Sequence, residues 1–204
     1  NKNQKLDPRL EKLNNETAHL YNDTEMNQLE QRMFGALDVG TRIFTYDLLE
    51  QPERDRKNGY VVDFDPETQM YEILMEEDIK LNYTIQLPQS KIAQRVVDCL
   101  IHHTKLEYSK LNDEKADIVL WNPILKKYNA RVNTGDWTGR FLIFHPHQLK
   151  LPRGTRVKIE NLQKRKHLNG VWGRVIRWMD SKRRYEVDLG NEKIFVRAEK
   201  AIAS

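Results

Sequence analysis

Arg153, Arg156, Lys158, Lys164, Arg165, Lys166, Arg174, Arg177, Lys182, Arg183 and Arg184 crowd the last quarter of the chain. Guanidinium and ammonium groups at this density neutralise phosphates or carboxylates. Two clusters, at 164–166 and 182–184, fall in expected loops where such groups could reach them. From Lys150 onward there are 15 Lys and Arg against 6 Asp and Glu, and before it 19 against 24. The net charge of +4 therefore divides into a basic end and a mildly acidic remainder, which suits an anionic partner or an acidic neighbour at one end only. The competing interpretation is a solvated face, because charge runs are usually that and the earlier copies of the fold carry no matching stripe.

Other residue types offer less chemistry. His102-His103 and His145-Pro146-His147 belong together, yet no carboxylate or thiolate completes a metal-ligand spacing, so no metal and no cofactor is expected. There is no glycine-rich phosphate loop, no nucleophile elbow and no helix carrying paired histidines, and a non-catalytic protein is expected. The acidic stretches 50–55 and 76–78 sit in predicted loops and read as solvated surface. Cys99 stands alone, which excludes an internal disulfide framework and a thiolate zinc cluster, fits a reducing compartment, and places the thiol in a strand core. A start at Asn1 is what removal of a targeting peptide would leave, so an intracellular location, a mitochondrion or another organelle among the candidates, is the expectation.

The elements that must position these groups announce themselves by period. Phe64, Trp121 and Trp178 lie 57 residues apart, and each is followed seven residues later by a tyrosine, Tyr71, Tyr128 and Tyr185. Gly59, Ala116 and Gly173 hold the same register, as do Val61, Ile118 and Val175, then Ile73, Ala130 and Val187. Gly40-Thr41-Arg42 aligns with Gly154-Thr155-Arg156 at twice the period. A fixed repeat of this length marks one structural unit built three times. Within the third copy Val157 and Ile159 begin a strand, and two further strands, 173–179 and 185–189, flank the turn 180–183 as a hairpin. Alternation places Ile176 and Trp178 on one face, opposite Tyr185, Val187 and Leu189. The small residue at 59, 116 and 173 suits a sharply bent strand. Each copy closes with an apolar strand and a tight turn, giving five short strands, the makings of a small closed barrel.

The run Gly154-Thr155-Arg156-Val157, then Leu168-Asn169-Gly170-Val171-Trp172-Gly173-Arg174-Val175-Ile176, then Arg184-Tyr185-Glu186-Val187-Asp188-Leu189 resembles Src-homology-3-like barrels of the Tudor, Agenet and KOW kind. It is most similar to small barrel modules common in protist and algal proteins. The resemblance spans about residues 40–204 and implies a mainly β chain of three tandem five-stranded Src-homology-3-like barrels, at 40–94, 95–151 and 152–204. It also raises two functions: a methylated-lysine cage of aromatic rings, as in Tudor-type barrels, and RNA contact, as in KOW-type ribosomal barrels. The periodic aromatic pairs lie on the core-facing register, so packing outweighs a cage. Such a superfold hosts many unrelated functions and does not choose among them.

Residues 1–39 fall outside the repeat and read as a helical extension. Asp7-Pro8 is a cap and first-turn proline, Leu10, Leu13 and Leu20 follow helical spacing, and Met26, Leu29 and Met33 form a second stripe. A narrow apolar stripe on a polar helix needs something to pack on, either its own barrel or another protein. With Trp137 and Trp172, which break the repeat pattern, these six residues are the candidates for protein docking. No segment has the roughly 18 apolar residues of a membrane span, which leaves peripheral contact with a membrane complex open. The combined expectation is a structural or accessory subunit that docks into a larger multiprotein assembly. An RNA-binding component, for example ribosomal, is the alternative, and a methylated-lysine reader the weaker one.

Overall fold

The computed structural model describes residue 28, residues 32–102 and residues 106–203. The chain is mainly β, and its strands form three five-stranded antiparallel sheets of identical topology. The first holds β1 (Arg42–Thr45), β2 (Asn58–Asp65), β3 (Met70–Met75), β4 (Thr84–Pro88) and β5 (Ile92–Gln94). The second holds β6 (Val96–Ile101), β7 (Lys115–Asn122), β8 (Lys127–Val132), β9 (Phe141–Phe144) and β10 (Leu149–Lys150). The third holds β11 (Arg156–Ile159), β12 (Trp172–Met179), β13 (Arg184–Asp188), β14 (Lys193–Val196) and β15 (Ala201–Ile202). In each, four strands run as a meander and the fifth returns to pair with the first, giving the order β4-β3-β2-β1-β5 and its two equivalents. A single 3-10 turn precedes every returning strand, at Gln89–Lys91, Pro146–Gln148 and Ala198–Lys200.

The central hairpin of each unit shows why the sequence repeats. Its tip ends on a left-handed residue, Gln69, Lys126 or Arg183, one period apart. In the first two copies an Asx residue opens the turn. Asp65 Oδ1 accepts from the N–H groups of Glu67 and Thr68, and Asn122 Oδ1 from those of Ile124 and Leu125. The ladder then slips by one residue after Val61, Ile118 and Val175. This bulge corrects the expected alternation: Val175, rather than Ile176, faces the core, and the extra residue returns Trp178 to the same side. At Gly173 a Cβ would stand 2.6 Å from the Asp188 carbonyl oxygen, and at Gly59 2.9 Å from that of Leu74, so crossing strands demand the small residue there.

The three aromatic pairs face each other across these hairpins, with ring centroids 4.6, 4.9 and 4.8 Å apart for Phe64–Tyr71, Trp121–Tyr128 and Trp178–Tyr185. The tyrosines are fully buried, and each hydroxyl accepts a backbone N–H from a segment outside its own sheet. Leu37 donates to Tyr71, Ala203 to Tyr128 and Leu151 to Tyr185. Tyr185 also donates to the Leu149 carbonyl. The second and third units are therefore stitched from both sides, and their buried side chains form one continuous core, whereas the first unit has a separate one. Leu10, Leu13, Leu20, Met26 and Leu29 lie outside the described residues. Met33 is buried in the first unit's core, beside Ala36 and Leu37, and is spent on packing rather than presented to a partner.

Candidate anionic-partner interface

Burial by a neighbouring unit sorts the basic residues of the third unit. β11 alternates Val157 and Ile159 into the core, which turns Arg156 and Lys158 outward. Outward from this sheet is inward between units. Arg156 is 3% exposed, its guanidinium lies 3.4 Å over the Trp172 ring, and it donates to Gln89 Oε1 of the first unit at 2.9 Å. Lys158 sits 5.7 Å from the same ring. Arg174 is bidentate on Asp38, at 2.8 and 3.0 Å, and also donates to the Ala36 carbonyl. Arg156 and Arg174, nominated with the other cations of the third unit, lie apart from them and join the third unit to the first. Trp172, nominated for partner docking, fills that same joint against Gly35. Trp137 packs on the continuous core of the second and third units, beneath the Arg140 guanidinium.

The remaining cations face solvent. Arg177 is exposed and paired with Glu186 at 2.7 Å, while Arg153 stands exposed in the turn before β11. Lys164 and Arg165 line an open groove of about 460 Å³ on the third unit, together with Arg184, Arg197 and Lys200, and Lys166 follows them, exposed. Its floor is apolar, from Leu162, Leu168, Ile194 and Val196, and no acid among the described residues lines it. Arg165 bonds Glu192 at 2.5 Å, and that bond holds the Glu192 carboxyl below its usual range. A second groove, about 620 Å³, opens where the second and third units meet. His102 and His147 line one side. Trp178, Lys182, Arg183, Arg184 and Arg197 line the other, with Glu199 the only acid among the described residues, 3.3 Å from His147 Nδ1. Arg184 and Arg197 belong to both grooves, so the two form one basic face.

Local geometry explains how that face is presented. Tyr185 pairs with Val196 across β13 and β14, and the next residues outward on the two strands are Arg184 and Arg197. The two residues thus stand at the same end of that cross-strand pair, one from each chain segment. Arg183 occupies the left-handed tip of the hairpin, φ 49°, a conformation an L side chain adopts at a cost of about 1–2 kcal/mol. Lys182 lies 4.9 Å from the centroid of exposed Phe195. Behind the tip Asp180 ties the units together: its Oδ1 accepts from Lys150 of the second unit at 2.8 Å and from the Trp178 indole at 2.9 Å. These two bonds, Lys150 first, hold its carboxyl below the ordinary range.

Sequence reasoning missed Arg197, Lys200, His102 and His147 as parts of this face. The signal for Arg197 was its place one residue after Val196, on a strand that must pair with Tyr185. His102 and His147 were noted only as weak metal ligands. Among the described residues no three His, Cys, Asp or Glu side chains converge on one point, and His145 instead stacks on His147 at 5.4 Å. Cys99 is fully buried, and burial pushes its thiol far above the usual value. Among the described residues no helix is long and apolar enough to cross a membrane. The sequence matches no protein-family model, and no curated protein is significantly similar to it.

Proposed function

We propose that the protein is a non-catalytic docking subunit of a larger assembly, built of three Src-homology-3-like barrels, that seats an acidic surface of a neighbouring protein on the basic face of its third unit. The observation carrying this reading is the placement of Arg184 and Arg197. They stand at the same end of one cross-strand pair, and both grooves meet at them. Like charges held side by side on a ladder repel, and a bound carboxylate or phosphate surface removes that repulsion. The meander with a returning fifth strand and a 3-10 turn before it supports the barrel reading. The single buried thiol fits a reducing intracellular or organellar compartment.

One observation favours a second reading, an RNA-binding component. Phe195 is exposed beside Lys182 and between groove-lining cations, an arrangement that lets a base stack while neighbouring charges take its phosphates. Native purification at moderate salt tests both. A defined, nuclease-resistant complex that loses this subunit when Arg184 and Arg197 are both changed to Glu is the expected result. Release by nuclease with steep salt dependence transfers the face to RNA. Retention of every companion by the double variant would sink the docking role of this face.

A further inference from the structure

The joint between the first and third units contains a charge without a counter-charge. Arg156 is buried there, stacked on Trp172 and bonded to Gln89, yet it forms no ion pair, and its Nε has no hydrogen-bond partner among the described residues. The repeat shows what is missing. Arg42, its counterpart two periods earlier, donates through Nε to Glu76 at 2.7 Å. The position matching Glu76 in the third unit is Gly190. Asp38, the acid whose field reaches Arg156, is already gripped by Arg174. Burial pulls the Arg156 guanidinium down to about 10, so it remains charged at neutral pH. A buried charge of this kind is costly unless an anion answers it.

The space beside it has the chemistry to receive one. A cavity of about 330 Å³ lies between the units, at the small end of the roughly 300–1,000 Å³ typical of ligand sites. Its polar lining includes Arg32, Arg156, Gln69 and Gln89, Phe64 and Trp172 supply flat apolar wall, and among the described residues no carboxylate lines it. We propose that this cavity is a binding site for a small oxyanion carried on a flat apolar group, with Arg156 at its base and Arg32 at its rim holding the anion. A guanidinium fork matches carboxylate and phosphate geometry alike, so the oxyanion is the shared chemistry. The site shares no lining residue with the grooves of the basic face.

Titration calorimetry and thermal shift on the full chain, at constant ionic strength, test it with phenyl phosphate, benzoate and inorganic phosphate as probes. Saturable binding of one molecule of phenyl phosphate or benzoate per chain is expected, tighter than inorganic phosphate alone. Binding of one and not the other identifies phosphate or carboxylate as the source and upholds the site. Arg156→Lys, which keeps the charge and loses the fork, weakens binding about tenfold or more, while R184E/R197E leaves it unchanged. Because Arg156 also joins two units, Arg32→Ala carries the test from an exposed position, with an expected loss of about 3- to 10-fold. No saturable binding by the unaltered protein overturns the proposal. So does binding that survives both arginine changes and vanishes in R184E/R197E.

Discussion

Replacing Tyr185 by Phe removes one oxygen atom and keeps the ring that packs on Trp178 at 4.8 Å. That oxygen accepts from the buried Leu151 N–H at 2.8 Å and donates to the Leu149 carbonyl at 2.9 Å. Without it the N–H loses its partner away from water, which costs about 1–3 kcal/mol, and the lost carbonyl bond adds about 0.5–1.5 kcal/mol. Tyr185→Phe should therefore destabilise by about 2–4 kcal/mol. Tyr128→Phe, which strands only the Ala203 N–H, should cost about 1–3 kcal/mol. At about 2–4 °C per kcal/mol for a chain of this size, Tyr185→Phe lowers Tm by about 4–16 °C. The two hydroxyls bind the same pair of units from opposite sides, so the double variant should depart from additivity by at least about 0.5 kcal/mol. Urea unfolding followed by tryptophan fluorescence and by far-UV circular dichroism measures all of these. A loss below about 0.5 kcal/mol in Tyr185→Phe, or a larger loss in Tyr128→Phe, refutes the stitching argument.

Arg183→Gly relieves the left-handed strain at the hairpin tip and removes a groove cation. Stability should hold or rise by up to about 1 kcal/mol while retention of the anionic partner falls, read by thermal melts beside a pull-down. Asp180 gives a pH signature. Its folded carboxyl titrates below the unfolded value of 3.8, so the unfolded chain takes up the proton first as pH falls, and the Lys150 and Trp178 bonds stabilise fully above 3.8. That stabilisation is lost as pH drops through the lowered folded value. The Tm gap between the unaltered protein and Asp180→Asn should be steady from neutral pH to about 5 and close below 3.8, and a gap independent of pH would refute the assignment.

Much of the hairpin architecture was legible because it is built within one period. Strand alternation, the tyrosine seven residues after each large ring and the small residue before the bend are all local requirements, and three copies of each make them visible. The bulge was not, since alternation alone cannot say where a ladder slips, and Ile176 looked as apolar as Val175. The joints between units were also hidden. Arg156 and Arg174 stand at outward positions of their strands, where an isolated unit would show them to solvent. The mismatch of Arg42 and Glu76 with Arg156 and Gly190 is one sign that the third copy lives in different company. Trp172 posed the same problem: its break from the repeat signalled a special position, while its partner, the segment at Gly35, lay well over a hundred residues away.

The repeated rings themselves acquire a second role from this arrangement. Phe64 lines the cavity between the first and third units, whereas Trp121 and Trp178 line two separate openings between the second and third. Each ring fixes its hairpin from the core side and contributes an edge to a joint, so the period encodes both the unit and the way units meet. What distinguishes the copies then lies at outward positions that the fold does not consume. Opposite Glu72, Asn129 and Glu186 stand Gln86, Ile143 and Phe195, and at the hairpin tip stand Gln69, Lys126 and Arg183. Gln86 and Gln69 in the first copy bring no charge. In the third copy the corresponding residues sit among Lys182, Arg184 and Arg197 and open onto two grooves. A fold needing only a turn residue and a solvent-facing strand position is indifferent to a ring and a run of cations there. Their concentration in one copy is therefore better explained by a partner of that copy than by folding.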